Sequence, residues 1–591
     1  MKVGTLGYNS VHPKEVENPP YGEGTAIGEN AYAVAGSVAV GAGSRALNEG
    51  EFAVGAPGSD SEGQVLRRVS NVAAPEYDTD AATKKYVDSA IKVTDRRFPE
   101  WDSDNQEFTN SSIAEWLRYN SDGKLYGVEQ SEDKVQACTK VLANAGMENP
   151  VPYTLAKAGS DPYRGKGPFR WYNCNARVDA DGTQHVTGIE DFGNFSWDRD
   201  AWTLSPVRYV FDGEVGGRWR HVSCDTAQSG LVREARATLP NGDVAPYMLR
   251  AKFMMSLGSD GVPMTVAGAK PRLFDVSYSS MIGLAKKKGA AYSGLTYADD
   301  AYLYDMFLLK YANKSSQSVF AGCTGHSEQT QVTVANSASA TVVIKKSVAD
   351  LWPVGSSVEV GSHPGDTAGD RYDADMRDLA SQAKIVGKED YDGSNVALTL
   401  ECDPFDSAVG NWVSTMPWET GTCKDLQGDG SPTSCTNWRE PYMLQGIELA
   451  LGAYEVLGDV IEYSAGDGWG VYRLSTTDKA ATSLTSDFAH VWDVPNTDAD
   501  SGDYQAWQKK SAGMWYPGGW NASSTSGTGD YMWWNKSTAS GLREYLARGI
   551  LGHWGSAGLR FAYLGGGLGG AWWDVGGRLS ANGLYGVNAT A

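Results

Sequence analysis

Apolar residues recur at every third or fourth position in two stretches of the chain, and this spacing predicts helices. The stretches are TYADDAYLYDMFLLKYA (296–312) and REPYMLQGIELALGAYEVLGDVI (439–461). Elsewhere beyond about residue 110, short apolar runs such as PFRWYNCNARVD, SPVRYVF and APYMLRAKFMMSL indicate strands. Residues 111–591 are therefore predicted to form an aromatic-rich α+β domain.

One segment inside that domain is richer in β-branched and alternating residues than its surroundings. QTQVTVANSASATVVIKKS and SNVALTLE both lie within 327–405 and are typical of strands. We interpret 327–405 as a β-rich module inserted into the larger domain. The alternative is that this segment is continuous with the fold around it.

The N-terminal part of the chain repeats a short pattern. An apolar residue followed by Gly occurs at Ile27-Gly28, Val40-Gly41 and Val54-Gly55, at spacings of 13 and 14 residues. One unit is too short to bury a face, so stacked units are expected over 21–66, after an N-terminal extension at 1–20. A Gly/Ala-rich linker is the alternative. The repeats resemble the head of trimeric autotransporter adhesins, which implies a left-handed β-roll made by three chains.

The next segment, 67–110, contains the pattern of one short helix. Asp80 can cap a helix that starts at Ala81, and Val87 and Ile91 fall four apart on one face. Such a helix is marginal alone in water, whereas three side by side would be stable. NVAAPEYDTDAATKKYVD (71–88) resembles the neck of phage tail fibres and of the adhesin stalk. This resemblance implies a homotrimer.

Charge and cysteine content narrow the classes of partner. Lys and Arg number 51 against 72 Asp and Glu, a net charge of −21, which disfavours nucleic acid and anionic membrane surfaces. The first residues have no basic n-region or apolar h-region, and no run of about 20 apolar residues follows. We expect a soluble chain without a cleaved signal or membrane insertion.

The seven cysteines do not show the spacing of metal ligands, and we expect them to be free thiols. A Cys423–Cys435 disulfide bridge is the alternative.

No cofactor, metal site or catalytic motif is predicted, and we expect a protein that is not an enzyme. Gly565–Gly570 matches G-x-G-x-x-G, but only 21 residues follow, too few for the βαβ unit that binds a dinucleotide. WDRD (197–200) and TDADSGD (497–503) could supply glycosidase carboxylates or a calcium loop. Both are more typical of solvated loops.

The C-terminal segment, about 540–583, contains the motifs GLRE (541–544), GL (558–559), AWW (571–573) and GRLS (577–580). With these motifs it resembles the closing segment of the variable proteins of diversity-generating retroelements. This resemblance implies a C-type lectin fold of the formylglycine-generating-enzyme type, with Trp572 and Trp573 in the core. It also implies that the interleaved residues face outward, bind the ligand and are diversified. They are Arg548, Ile550, Gly552, His553, Trp554, Ser556, Arg560, Ala562, Leu564, Gly565, Gly569 and Asp574.

These resemblances together imply a phage tail-fibre receptor-binding protein, a tropism determinant that binds a protein or glycan on the host cell surface. The partners implied are two further copies of the chain and tail or baseplate proteins. The expected location is the virion tail, after synthesis in the host cytoplasm. A tail-spike polysaccharide depolymerase and a bacterial surface adhesin are the alternatives.

The first testable prediction is that the protein is a trimer. The repeats at 21–66 and the helix at 81–92 bury too little apolar surface in one chain to be stable alone. Multi-angle light scattering of the full chain should give three times the mass of a single chain. A monomer would contradict the prediction.

Overall fold

A computed structural model describes most of the chain. The described residues are 25–28, 31–34, 36–47, 50–55, 98–238, 243–274, 276–363, 376–465, 468–474, 483–495, 501–511, 513–534 and 541–581. The chain divides into two compact units, Met1–Thr94 and Asp95–Ala591. The described residues are mostly β-sheet with few helices, which is the content of a strand-rich α+β chain.

The first unit consists of short parallel strands. Its strands are Thr25–Ile27, Tyr32–Ala33, Val38–Val40, Arg45–Ala46 and Phe52–Ala53. Thr25 pairs with Val38 and Val38 with Phe52, so the pairing offsets equal the 13- and 14-residue spacings in the sequence. A Cβ on Gly28 would lie 2.5 Å from the carbonyl carbon of Gly41, so the stacked turns require glycine. The helix predicted at 81–92 lies outside the described residues.

Two sheets lie in the N-terminal half of the second unit. The first sheet has the strand order Ser293–Gly294, Leu579–Ser580, Met248–Ala251, Ala201–Ser205, Tyr172–Val178, Gln184–Ile189, Glu107–Phe108 and Trp101–Asp102. The second sheet has the order Val232–Arg233, Tyr209–Val215, Arg218–Cys224, Tyr126–Gln130 and Thr139–Leu142. Leu579–Ser580 is a strand of the first sheet, so the C-terminal segment of the second unit shares a sheet with the unit's first strands.

A third sheet, the C-terminal sheet, holds the segment that the sequence singled out. Its order is Phe488–Asp493, Gly468–Leu474, Tyr454–Ala465, Leu542–Ala547, Ala562–Leu564, Tyr531–Trp534 and Ser501–Tyr504, and Val575–Gly576 pairs alongside Tyr454–Ala465. Three hairpins complete the strands: Ser256–Leu257 with Pro263–Met264, Tyr442–Leu444 with Ile447–Leu449, and Trp507–Ser511 with Met514–Gly519.

The segment predicted as an inserted module contributes most of a fourth sheet. This module sheet has the order Gln329–Gln331, Trp412–Met416, Ser357–Gly361, Ala380–Asp390, Asn395–Glu401 and Thr341–Lys345. Asn336–Ser339 and Phe405–Ser407 form a separate pair. Trp352, Ile385 and Leu398 belong to a hydrophobic core within this segment. The sheet extends past residue 405 because its strand Trp412–Met416 pairs with both Gln329–Gln331 and Ser357–Gly361.

The described residues contain four α-helices: α1 (Asn110–Tyr119), α2 (Tyr278–Lys288), α3 (Tyr297–Tyr311) and α4 (Lys346–Ala349). Helix α3 confirms the helix predicted at 296–312; Thr296 caps it by accepting from the Asp299 N–H, and every one of its residues is buried. Helix α2 shares a core with one face of the C-terminal sheet, and the start of α3 shares a core with the other face. In the described residues, no helix is long and apolar enough to cross a membrane.

The helix predicted at 439–461 is wrong. That segment forms the hairpin of Tyr442–Leu444 and Ile447–Leu449 and then the long strand Tyr454–Ala465. Gly446 and Gly452 have φ values of 75° and 107°, which no helix accommodates. Apolar residues are dense here because both faces of the strands are buried, and such a run can match a helical spacing by chance.

The module should be removable without loss of the rest of the fold. Gln331 and Trp412 are direct partners across two antiparallel strands, so a short Gly-Ser turn can replace residues 333–410. Closing a shorter loop costs little entropy. We expect a soluble protein with one cooperative thermal transition by circular dichroism. A broad, non-cooperative transition would show that the module belongs to the main core.

Candidate functional site

An open pocket of about 530 Å³ lies at the C-terminal sheet, and most of its lining is aromatic. Its volume lies in the range of small-molecule binding sites. We call it the aromatic pocket. Its lining residues are Tyr454, Tyr504, Tyr531, Trp533, Gly552, His553, Ser556, Phe561 and Tyr563.

The alternation of strands explains why so many rings meet there. Tyr531 and Trp533 are two apart, as are Phe561 and Tyr563, and the two strands pair in parallel with Trp533 beside Tyr563. All four rings therefore lie on one face of the sheet. The intervening residues enter the core on the opposite face; they are Met532, Trp534, Ala562 and Leu564.

The rings on one side of the pocket are stacked. Tyr454 lies nearly parallel to Phe561 and to Tyr563, with ring centroids 6.1 and 5.8 Å apart and interplanar angles of 26° and 30°. The imidazole of His553 lies 4.6 Å from the Phe561 ring. These offset-stacked contacts hold the rings in place without a ligand.

A second group of rings faces the open side. Tyr531 contacts Tyr504 edge to face at 5.0 Å and Trp533 at 6.0 Å. Trp533 keeps 38% of its surface exposed, an unusual fraction for a large indole. A large exposed ring fixed by its neighbours is typical of a contact site.

The polar groups of the pocket are uncharged. The backbone N–H of Ile550 donates to Nδ1 of His553 at 3.3 Å, which places the ring proton on Nε2, 3.5 Å from the Tyr454 hydroxyl. Burial lowers the pKa of His553 from 6.5 to about 4, so the imidazole is neutral at ordinary pH. The hydroxyls of Tyr504 and Ser556 lie 2.7 Å apart. No Asp, Glu, Lys or Arg is among the described residues that line the pocket.

The structure brings part of the predicted ligand-binding set to this pocket. Gly552, His553 and Ser556 line it, and Trp554, 51% exposed, stands between them on a 3-10 turn. Ile550 and Gly565 are half-buried, and Gly569 is exposed. The outward orientation predicted for the other positions is wrong, because Arg548, Arg560, Ala562, Leu564 and Asp574 are buried.

Arg548 and Arg560 are buried because they hold the segment against helix α3. Their guanidinium groups bind the two carboxylate oxygens of Asp300 at 2.7 and 2.6 Å. Arg548 also donates to the carbonyl of Leu559 and Arg560 to that of Trp515. A buried charge requires such a partner, so these arginines anchor the fold.

The other three positions are buried for reasons of strand geometry. Ala562 and Leu564 lie on the strand face opposite Phe561 and Tyr563. Because side chains alternate between the two faces, an assignment shifted by one residue places core residues in the pocket and pocket residues in the core. Asp574 directly precedes the strand Val575–Gly576, and its carbonyl accepts the Tyr454 N–H at 2.8 Å. Trp573 is buried in one hydrophobic cluster, which confirms its predicted place in the core, and Trp572 is half-buried against another cluster.

Two glycines within the 565–570 match, Gly566 and Gly570, have a packing role. A Cβ on Gly566 or Gly570 would lie 2.6 or 2.9 Å from Oε1 of Glu544, and Trp572 is their other close neighbour. Oε2 of Glu544 accepts the N–H of Tyr278 in the first turn of α2 at 3.2 Å. Burial raises the pKa of Glu544 from 4.5 to about 8. The glycines therefore let the loop close over a protonated carboxyl group.

Six pocket residues are absent from the predicted ligand-binding set: Tyr454, Tyr504, Tyr531, Trp533, Phe561 and Tyr563. The pairs at 531 and 533 and at 561 and 563 do show the two-residue period of a strand with one aromatic face.

The other candidate residues do not form a site. In the first acidic stretch, 197–200, Asp198 is exposed and Asp200 accepts the Thr265 N–H. Most of the second stretch, 497–503, lies outside the described residues. All seven cysteines are free thiols, which confirms that prediction. Among the described residues, no group of His, Cys, Asp or Glu could hold a metal ion.

No protein-family model matches the sequence, and no curated protein matches it.

Removing the charge that anchors the C-terminal segment should destabilise the fold. Asp300→Asn leaves the buried guanidinium groups of Arg548 and Arg560 without a counter-charge, and we expect a loss of about 3–5 kcal/mol. The matched control is Asp350→Asn, which breaks an exposed pair with Lys346 and should cost at most about 0.5 kcal/mol. Urea unfolding measures both, and equal effects would contradict the anchoring role.

The buried carboxyl of Glu544 should give the wild type a pH-dependent stability. Below pH 4.5 the folded and unfolded states both hold the proton; between pH 4.5 and about 8 only the folded state does, so stability falls as pH rises. Glu544→Gln removes this dependence, and its advantage over the wild type should grow by up to about 1.4 kcal/mol per pH unit. The control Glu401→Gln, at an exposed carboxylate, should not change the profile. A constant difference between Glu544→Gln and wild type across pH 4–8 would refute the buried, protonated state.

Proposed function

We propose that the chain is a trimeric receptor-binding protein of a phage tail fibre and that it binds its host-surface ligand in the aromatic pocket. The strongest support comes from Gly552, His553 and Ser556. They belong to the C-terminal segment that the sequence resemblance marks as ligand-binding. They line an open pocket together with exposed Trp533.

The proposal includes a C-type-lectin-like head with diversified surface positions. Its support is the arrangement of α2 and α3 on the two faces of the C-terminal sheet, with the matched anchor residues Glu544, Trp573 and Arg578 buried. Arg578 binds Glu455 through two hydrogen bonds of 2.8 and 2.9 Å. Diversification would then be confined to the accessible positions Ile550, Gly552, His553, Trp554, Ser556, Gly565 and Gly569.

The N-terminal unit would supply the trimer as a β-roll and neck. Ile27, Leu47 and Phe52 are exposed in the single chain at 47, 47 and 66%. Exposed apolar side chains concentrated in so small a unit are expected where other copies of the chain cover them. Three pockets on one particle raise the effective affinity of weak single contacts. Tail or baseplate proteins would hold the trimer in the virion.

A depolymerase is less well supported at this site. Glycoside hydrolysis uses a pair of carboxylates, and the described lining residues of the pocket include none. A bacterial adhesin would also be a trimer with this pocket, but it would lie on the bacterial surface and not in the virion tail.

The proposed function predicts that the purified full chain binds intact bacterial cells and blocks adsorption of the phage that carries it. Trp533→Ala should weaken cell binding about tenfold, because the exposed ring loses its stacking contacts with the ligand. The control Tyr391→Ala alters a 52% exposed ring on the module and should bind as the wild type does. Flow cytometry over a panel of strains measures both.

Binding that is the same for both variants would place the receptor site elsewhere. Binding to no strain in the panel would contradict the proposed function, and cell binding without any block of phage adsorption would favour an adhesin.

A further inference from the structure

The lining of the aromatic pocket combines two features that few ligands match at once. Trp533 is 38% exposed, and the half-buried rings of Tyr531 and Tyr563 line the pocket with it, while Tyr454 is buried in a stack against Tyr563. Between them lie hydroxyl groups and one imidazole, and no ionised group is among the described lining residues. The ligand must therefore offer both apolar faces and uncharged hydrogen-bonding groups.

A pyranose ring has this character. One or both of its faces are patches of C–H groups that carry a small positive charge and pack on the negative face of an aromatic ring. Its rim is a set of hydroxyls that each donate one hydrogen bond and accept others, as the tyrosine and serine hydroxyls of the pocket do. We infer that the aromatic pocket binds an uncharged saccharide of the host cell surface, an inference that rests on the proposed receptor-binding function.

The geometry assigns a role to individual side chains. Trp533 is the stacking platform, because its ring is the most exposed of the aromatic lining and contacts the Tyr531 ring at 6.0 Å. The hydroxyl pair of Tyr504 and Ser556, 2.7 Å apart, can exchange its mutual hydrogen bond for one with a sugar hydroxyl on each side.

His553 contributes a neutral donor. Its Nδ1 is occupied by the Ile550 N–H, so Nε2–H is the group directed toward the Tyr454 hydroxyl and the pocket. A neutral imidazole neither attracts an acidic sugar nor repels a basic one. Saccharide binding should therefore be constant between pH 5.5 and 8, where His553 keeps one protonation state because its pKa is about 4.

Two other ligand classes differ from a neutral saccharide in charge. An acidic saccharide needs a cationic partner, which the described lining lacks, whereas a quaternary ammonium ion is attracted to aromatic faces without any hydroxyl groups. An ammonium ion would use the aromatic faces alone, whereas a saccharide can also bond to the hydroxyls of Tyr504 and Ser556. This second kind of contact favours the saccharide.

The first experiment uses isothermal calorimetry and tryptophan fluorescence with the full chain. The probes are lactose, maltose, cellobiose and N,N′-diacetylchitobiose, with 3′-sialyllactose for the acidic class and choline for the ammonium class. We expect one or more neutral probes to bind. Trp533→Ala should weaken that binding about tenfold and Tyr391→Ala should leave it unchanged. Binding of choline or sialyllactose alone, or neutral-sugar binding that survives Trp533→Ala, would overturn the inference.

The second experiment separates the saccharide inference from the proposed function. Cells that bind the protein are treated either with mild periodate, which cleaves sugar diols, or with proteinase K. The inference predicts loss of binding after periodate and retention after proteinase K. Binding that resists periodate but still requires Trp533 would overturn the saccharide and leave the receptor-binding function standing. Cell binding that is indifferent to Trp533→Ala would overturn the saccharide inference and place the receptor site outside the aromatic pocket.

Discussion

Helix α3 is buried along its whole length, yet it carries Asp299, Asp300, Asp305 and Lys310, and each of these charges needs a partner. The partners come from all parts of the second unit: Arg250 for Asp299, Arg548 and Arg560 for Asp300, Arg208 and Lys510 for Asp305, and Asp161 and Asp429 for Lys310. Burial alone would raise the pKa of Asp305, but His221, Lys510 and Arg208 lower it below its ordinary value. Helix α3 therefore holds these segments of the second unit together through buried ion pairs.

The geometry of the aromatic pocket depends on two of these ion pairs. Arg548 and Arg560 bracket the loop that carries His553 and Ser556, and both bind the same carboxylate of α3. The loop ends are thus fixed at the core while the residues between them reach the open face of the sheet. Binding loops on a rigid scaffold can change their residues without loss of the fold. Fixed ends also keep the ring faces and hydroxyls of the pocket in one arrangement, so little ordering entropy opposes ligand binding.

Local spacing was enough to predict helix α3 and the strand-rich character of the domain, because both follow from periodicity within one stretch. The helix predicted at 439–461 failed because a run buried on both faces has no clear period. The resemblance predicts Arg548 and Arg560 outside, and nothing local corrects it, because their partner Asp300 is about 250 residues away in the sequence. Ala562 and Leu564 were placed by resemblance, and strand parity puts Phe561 and Tyr563 in the pocket instead. The pocket itself unites strands from 454 to 563, which only tertiary structure brings together.

The central claim is that the C-terminal segment separates into buried anchors and accessible ligand positions. It is tested most directly by randomising the twelve predicted positions together and selecting only for folded, protease-resistant protein, followed by deep sequencing. The account predicts that Arg548, Arg560, Ala562, Leu564 and Asp574 return to the wild-type residue or a close substitute, while Ile550, Gly552, His553, Trp554, Ser556, Gly565 and Gly569 accept many residue types. Equal recovery of the wild-type residue at both groups, or free variation at Arg548 and Arg560, would contradict it.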